Sequence, residues 1–152
     1  MKRLTKWAMI AALTAVSFTS GSVWAEDAQV IDMKPIKFQM KFAEPVITVK
    51  AGKPVVINFD NIDIQPHNVL ICAPGSKEEV GALADKMITQ PDALKKQYVP
   101  DSDKVLHAMG LVQPAQKGSL KFTAPAKAGD YDILCTFPGH WRLMQGTLKV
   151  AE

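Results

Sequence analysis

The feature that most constrains this chain is a short segment near its C-terminal end. Cys135, His140 and Met144 lie within ten residues of one another, at the spacing C-x4-H-x3-M. Pro138 and Gly139 stand between the cysteine and the histidine. Proline fixes φ and glycine tolerates unusual backbone angles, so this pair predicts a tight turn that brings His140 back toward Cys135. The fold must therefore hold a thiol, an imidazole and a thioether on one compact loop.

These side-chain types indicate a metal. Soft sulfur donors combined with imidazole suit copper, and a thiolate with two His and a weak Met makes a trigonal blue-copper site. A second imidazole is available from His67, which lies upstream. We therefore predict one copper ion, of type 1, bound by His67, Cys135, His140 and Met144. For each residue taken alone the ordinary alternative is a buried or disulfide-bonded Cys, a surface or core His, or a core Met.

The first 25 residues have the composition of an export signal. Lys2, Arg3 and Lys6 precede an apolar stretch, Trp7–Phe18, and Ala25 ends a plausible cleavage site. The apolar stretch is shorter than the roughly 20 residues that a spanning helix needs, so no membrane anchor is expected. We predict a signal peptide at 1–25, one domain at 26–152, and a periplasmic or otherwise exported protein. Without the presequence, 15 basic residues face 15 acidic ones, which argues against nucleic acid as a partner.

The mature part has the pattern of an all-β fold. The segment 36–42 alternates strictly between apolar and polar residues, as a half-buried strand does. Seven or eight short strands at the observed spacing predict a Greek-key β-sandwich. Further strands are expected at 46–49, 55–59, 67–72, 105–112, 119–123, 131–135 and 146–150. A helical excursion is predicted around residues 76–98, because Ser76 to Glu79 resembles a capping box and apolar residues follow at helical intervals.

The other cysteine, Cys72, raises the alternative of a disulfide with Cys135, since exported chains use disulfides. A strand that starts at His67 would carry Cys72 roughly 16 Å away from it. Bridged Cα atoms lie within about 7 Å, so we predict a free, buried thiol at Cys72. His107 and Met109 could form a second copper site, although ordinary packing is the simpler interpretation.

At the residues quoted above the chain resembles a cupredoxin. The segment from Cys135 to Met144 is similar to the ligand loop of azurin and auracyanin, whereas Pro66-His67-Asn68 looks more like plastocyanin. The resemblance implies that Asn68 braces the ligand loop through hydrogen bonds. It also implies a weak copper contact from the Pro66 carbonyl, and a C-terminal His ligand whose ring edge reaches the surface.

The sequence thus predicts a soluble, monomeric electron carrier that cycles Cu(II) and Cu(I) between redox proteins, and not an enzyme. The alternative is a periplasmic copper-binding or delivery protein. Trp141 follows His140 directly, and tryptophan is frequent at interface hot spots. We therefore predict that Trp141 enlarges an apolar docking rim around His140, the alternative being that it packs into the core.

Overall fold

The computed structural model describes residues 28–152, and the predicted signal peptide lies outside the described residues. This part of the chain consists mostly of strands with one α-helix. The strands are β1 Gln29–Met33, β2 Pro35–Ile36, β3 Lys41–Phe42, β4 Val46–Lys50, β5 Pro54–Asp60, β6 His67–Cys72, β7 Val105–Val112, β8 Lys117–Thr123, β9 Gly129–Leu134 and β10 Gln145–Ala151; the helix, α1, is Lys77–Met87. The predicted all-β fold with a helical excursion is confirmed.

Two sheets form the sandwich. One has three strands in the order β1-β5-β8, and the other has five in the order β4-β10-β9-β6-β7. The edge strands β1 and β4 pair parallel to β5 and β10, and the remaining pairs in these two sheets are antiparallel. The burial pattern of β5 alternates, with Val55, Ile57 and Phe59 buried in the core that both sheets share. Alternation of this kind is what a strand with one core-facing side requires.

Strand β6 differs because all six of its residues are buried. One of its faces contributes to the main core, and the other meets a second, smaller apolar cluster that includes Leu70, Cys72, Leu134 and Val80 of α1. The helical excursion therefore covers the outer face of the five-stranded sheet at β6, the strand that begins with His67. The predicted capping box is wrong in its detail, because the Ser76 hydroxyl donates to the Ala73 carbonyl at 2.6 Å and makes no cap bond to the helix.

The predicted strand at 36–42 also needs correction. The chain forms the two-residue strands β2 and β3, which pair antiparallel around a turn. Phe38 and Met40 have positive φ angles of 64° and 44°. A tertiary contact holds this conformation, since the Phe38 N–H donates to the Asp63 carboxylate at 3.1 Å. Apolar alternation alone could not reveal a turn that depends on a residue 25 positions away.

Within residues 28–152, no helix combines the length and apolar character that a membrane span requires.

Candidate metal centre

Three side chains with metal-binding atoms meet at one end of the sandwich. His67 is the first residue of β6, and Cys135 directly follows β9, its neighbour in the sheet. The Cys135 Sγ lies 3.7 Å from Nδ1 of His67 and 3.6 Å from Nδ1 of His140. The three ligand atoms lie within 4.8 Å of one another, and all three residues are buried. The sequence prediction that these residues come together is confirmed.

The loop from Cys135 to Met144 is closed by its own backbone. The Cys135 N–H donates to the Met144 carbonyl at 3.1 Å, and the Met144 N–H donates to the His140 carbonyl at 2.8 Å. Gly139 has a φ of 81°, which a residue with a Cβ rarely adopts. The turn predicted from Pro138 and Gly139 is therefore present, and it brings the fully buried Met144 into the core cluster that contains Cys135.

The outer nitrogen of each imidazole has its own partner. Nε2 of His67 lies 3.2 Å from the buried carboxylate of Asp63. Nε2 of His140 lies 2.8 Å from Oε1 of Gln65. The Asp63 carboxylate and Oε1 of Gln65 are acceptors, which favours the tautomer with the proton on Nε2 and the Nδ1 lone pair directed toward the sulfur. Metal-binding histidines commonly have their second nitrogen fixed in this way.

Asn68 braces the loop, as the resemblance implied. Its Oδ1 accepts the Thr136 N–H at 2.7 Å, and its Nδ2 donates to the Thr136 hydroxyl at 3.0 Å. The same Nδ2 donates to the Gln97 carbonyl at 3.0 Å, and the Thr136 hydroxyl donates to the Tyr98 carbonyl at 2.7 Å. Asn68 follows the ligand His67, and Thr136 follows the ligand Cys135. These two residues are thus hydrogen-bonded to each other and to the end of the helical excursion.

The thiol of Cys135 is protonated when no metal is bound. Burial raises its pKa to about 12, although the backbone N–H groups of Phe137 and Asn68 hydrogen-bond to the sulfur and act in the opposite direction. A cation that binds at this sulfur must displace the proton, and the two N–H groups then stabilise the thiolate. Asn68 therefore reaches the sulfur through its main chain, while its side chain braces Thr136.

The two histidines and Asp63 differ in their charge at pH 7. Burial lowers the pKa of His67, and burial together with the neighbouring His67 lowers the pKa of His140 to about 4. Both rings are therefore neutral at pH 7, the form that binds metals. Burial opposes ionisation of Asp63, but hydrogen bonds from Phe38, Ile64 and His67 outweigh it, so the pKa of this carboxyl is lowered. At pH 7 the site thus holds one negative charge, on Asp63, beside two neutral rings.

These distances fit a first-row metal ion. Metal–nitrogen and metal–sulfur bonds of about 2.1 and 2.3 Å separate an N and an S donor by roughly 3.5–3.8 Å at angles near tetrahedral or trigonal. The observed Sγ–Nδ1 distances of 3.6 and 3.7 Å fall in that range. With the thioether of Met144 in the same buried cluster, His67, Cys135, His140 and Met144 are arranged as a type 1 copper site.

Trp141 lies between the ligand loop and the helix. Its side chain is only 5% exposed and packs over Gly81 of α1, where an added Cβ would overlap the indole. The indole N–H donates to Asp85 at 3.0 Å, and the Arg142 guanidinium lies 4.3 Å from the ring centroid. Trp141 therefore fastens the ligand loop to the helix, because Gly81 gives the ring a place to pack, and its docking role stays a prediction.

The surface beside His140 also differs from what the resemblance implied. His140 is 2% exposed, and Gln65 covers its outer nitrogen. Large exposed apolar side chains lie on the neighbouring segments instead, with Phe38 at 73%, Ile64 at 66% and Leu143 at 55% exposure. Phe38, Ile64 and Gln65 line one shallow pocket. The carbonyl contact expected of Pro66 stays a prediction.

Cys72 is free and fully buried, as predicted from the strand distance. The clustered His, Cys and acidic ligands of residues 28–152 form a single group, and His107 is not part of it. The ring of His107 instead packs against Phe122 with centroids 4.7 Å apart, and Met109 belongs to the core. Ordinary packing therefore accounts for both residues.

Sequence reasoning missed Asp63 and Gln65. They stand four and two residues before His67, in a loop where polar residues are commonplace. Their position in the sequence could have indicated this role. A side-chain acceptor a few residues before a ligand histidine can reach the outer nitrogen of a ligand imidazole when the loop turns back. Gly81 and Asp85, which receive Trp141, were visible only once the helix had been placed.

A β-sandwich that buries a Cys, two His and a Met at one end defines the cupredoxin class of copper proteins. The comparisons with known proteins agree with this geometry. Residues 30–151 match the family described as copper binding proteins, plastocyanin/azurin family, and the chain belongs to that family.

Individual relatives point the same way. The chain is 34% identical over 114 residues to auracyanin-A of Chloroflexus aurantiacus, covering 74% of this chain and 68% of that protein. It is 34% identical over 119 residues to an azurin of Pseudomonas denitrificans, covering 74% of this chain and 91% of the azurin. The solved structure of auracyanin A, described as a "blue" copper protein, matches with a TM-score of 0.74 and 32% identity, over 82% of this chain and 99% of that chain.

Proposed function

We propose that this protein is a one-electron carrier in which a single copper ion cycles between Cu(II) and Cu(I). His67, Cys135 and His140 are the three strong ligands, and Met144 is the weak axial one. The observation that carries the proposal is the buried cluster in which one sulfur and two imidazole nitrogens lie within 4.8 Å of one another. Copper supplies the redox chemistry in such a site, and the protein supplies the ligands and their orientation.

The way the ligands are held favours electron transfer. The bond from the Cys135 N–H to the Met144 carbonyl closes the loop, and each imidazole is fixed at its outer nitrogen. A site fixed on all sides can relax little when the metal changes charge. Little relaxation means a small barrier to exchanging an electron, which is the requirement for a carrier.

The same arrangement disfavours catalysis and metal delivery. Three strong donors with a fourth weak one leave no open position for a substrate, whereas catalytic metal sites keep such a position. A delivery protein must release its metal, and full burial of His67, Cys135 and Met144 opposes release. We therefore assign neither an enzymatic nor a delivery role.

We further propose that the mature domain, residues 26–152, is exported to the periplasm after cleavage near Ala25 and acts as a monomer on redox proteins. The balance of 15 basic and 15 acidic residues in that part supports recognition by apolar contact more than by global charge. Exposed Phe38 and Ile64 beside Gln65 offer such a surface near His140. That Trp141 contacts a redox partner directly stays a prediction, and the burial of Trp141 argues against it.

Voltammetry of the copper-loaded protein tests the carrier role. We expect a reversible one-electron wave, with copper retained through repeated cycles in the presence of a Cu(I) chelator. The Cys72→Ser variant serves as a matched control and should behave like the wild type. An irreversible wave with transfer of copper to the chelator upon reduction would support delivery and overturn the proposal.

A further inference from the structure

One carboxylate lies inside the molecule against a predicted copper ligand. The Asp63 side chain is 3% exposed, and its Oδ2 lies 3.2 Å from Nε2 of His67. Its Oδ1 accepts the Ile64 N–H at 2.8 Å and the Phe38 N–H at 3.1 Å. Among the described residues, no Lys or Arg forms a salt bridge with it. A buried negative charge without a cationic partner is costly, so its retention calls for an explanation.

The position of the carboxylate does not depend on His67. The Asp63 N–H donates to Asn61 Oδ1 at 3.1 Å, and Asn61 Nδ2 donates to the carbonyls of Gln65 and Val112, both at 2.8 Å. These bonds fix the loop before β6 to the neighbouring strand β7. Asp63 is therefore a preformed acceptor to which the imidazole must adapt.

We propose that Asp63 is a positioning and redox-tuning residue of the copper centre. It holds His67 in the Nε2–H tautomer with Nδ1 free for copper, and its charge favours Cu(II) over Cu(I). The proposal rests on the assignment of His67 as a copper ligand. A thiolate with Cu(II) carries one net positive charge and with Cu(I) none, so an adjacent carboxylate stabilises the oxidised state more. Gln65 makes the equivalent contact to His140 without a charge.

The first test uses the metal-free wild-type protein as its reference. Nitrogen-15 NMR of the histidine rings at pH 8 should find the proton of His67 on Nε2. In Asp63→Asn the amide can keep its oxygen on the Phe38 and Ile64 N–H groups and present its NH2 to His67. We expect the ring to shift toward the Nδ1–H tautomer in that variant. A wild-type ring already protonated on Nδ1 would overturn the positioning role.

The second test measures the reduction potential of copper-loaded variants. Asp63→Asn should favour Cu(I) at least tenfold relative to wild type, a rise of about 59 mV for one electron. The matched control is Asp60→Asn, which removes the same charge from a half-exposed carboxylate paired with Lys117 at 3.2 Å. Because solvent and salt screen exposed charges, the control should shift the equilibrium less than twofold.

The results separate this proposal from the one on which it rests. A potential for Asp63→Asn within twofold of the wild-type equilibrium, or one equal to that of Asp60→Asn, would overturn the redox-tuning role. Absence of any copper wave in the wild type would overturn both the carrier function and the tuning role. The tautomer measurement would still decide whether Asp63 positions His67, since it requires no metal.

Discussion

The two cysteines of this chain are alike in their immediate burial and differ in their neighbours. Both are free and fully buried. Cys72 is the last residue of β6, and Cys135 directly follows β9, in the same five-stranded sheet. Burial raises the pKa of each thiol to about 12. By accessibility and acidity alone, neither cysteine would be distinguished from the other.

Their surroundings separate them. Cys135 lies beside two imidazole nitrogens and accepts two backbone N–H groups. Cys72 lies among the apolar side chains of Leu70, Val80 and Leu134, and the charge of Asp132 raises its pKa further. A cation can replace the proton of Cys135 because two imidazole nitrogens bind it as well, whereas Cys72 belongs to no cluster of metal-binding side chains among residues 28–152. Burial makes a thiol inert, and only convergent donors turn it into a metal site.

The largest effect concerns the contact that joins the two regions. Trp141 fastens the loop of Cys135 to the helix that covers Cys72. We expect Trp141→Ala to lower the free energy of unfolding by about 3–5 kcal/mol, as for other large buried aromatics. Urea denaturation of the metal-free protein measures it.

Arg142→Ala is the matched control, because its exposed ion pair with Asp85 should contribute less than about 1 kcal/mol. Unchanged stability in Trp141→Ala, together with slower electron exchange, would contradict this structural role and support the predicted docking role.

The next prediction concerns Met144, which lies in the same buried cluster as Cys135 and not in the cluster of Cys72. Met144→Gln should lower the reduction potential, since an oxygen donor favours Cu(II), and Met144→Leu should raise it. A tenfold change in the Cu(II)/Cu(I) ratio corresponds to about 59 mV and is the size we expect. Voltammetry that gives the wild-type potential for both variants would remove Met144 from the site.

A smaller effect tests the Cys72 region by pH. Its pKa is about 12 in the folded chain and 9.0 when unperturbed, so the unfolded state loses its proton first as pH rises. Cys72 therefore contributes stability that is complete below pH 9 and is lost progressively between pH 9 and pH 12.

Between pH 8 and pH 10 the wild type should lose about 1.4 kcal/mol more than Cys72→Ala does. Denaturation curves of both copper-loaded proteins at the two pH values measure the difference. Equal losses would show that the thiol ionises freely in the folded protein.

The smallest effect concerns the outward side of the Cys135 region. Gln65 covers the outer nitrogen of His140. Gln65→Ala should speed electron self-exchange severalfold by exposing the ring edge, with a stability change within about 0.5 kcal/mol, as for other surface substitutions. NMR line broadening in mixtures of oxidised and reduced protein measures the rate. A slower rate would contradict this expectation and mean that Gln65 assists electron transfer or orients the His140 ring.

The sequence predicted the parts of this molecule that are local in the chain. The four metal-site residues come from two short segments, and most strands coincide with short apolar runs spaced along the chain, so the sequence pattern alone was enough to infer both. The features that the sequence pattern did not reveal depend on tertiary contacts. The turn at Phe38 depends on Asp63, the burial of Trp141 depends on Gly81, and the cover of His140 depends on Gln65. None of these pairs is adjacent in sequence, and each partner is an ordinary residue when taken by itself.

An absorption titration with Cu(II) tests the central claim most directly, because only a thiolate bound to Cu(II) in a trigonal site gives an intense blue band. We expect the wild type and Cys72→Ser to turn blue and to saturate at one copper per chain. Cys135→Ser should keep its fold and show no blue band at any copper concentration. A blue band that persists in Cys135→Ser, or that disappears in Cys72→Ser, would contradict the assignment of Cys135 as the copper ligand.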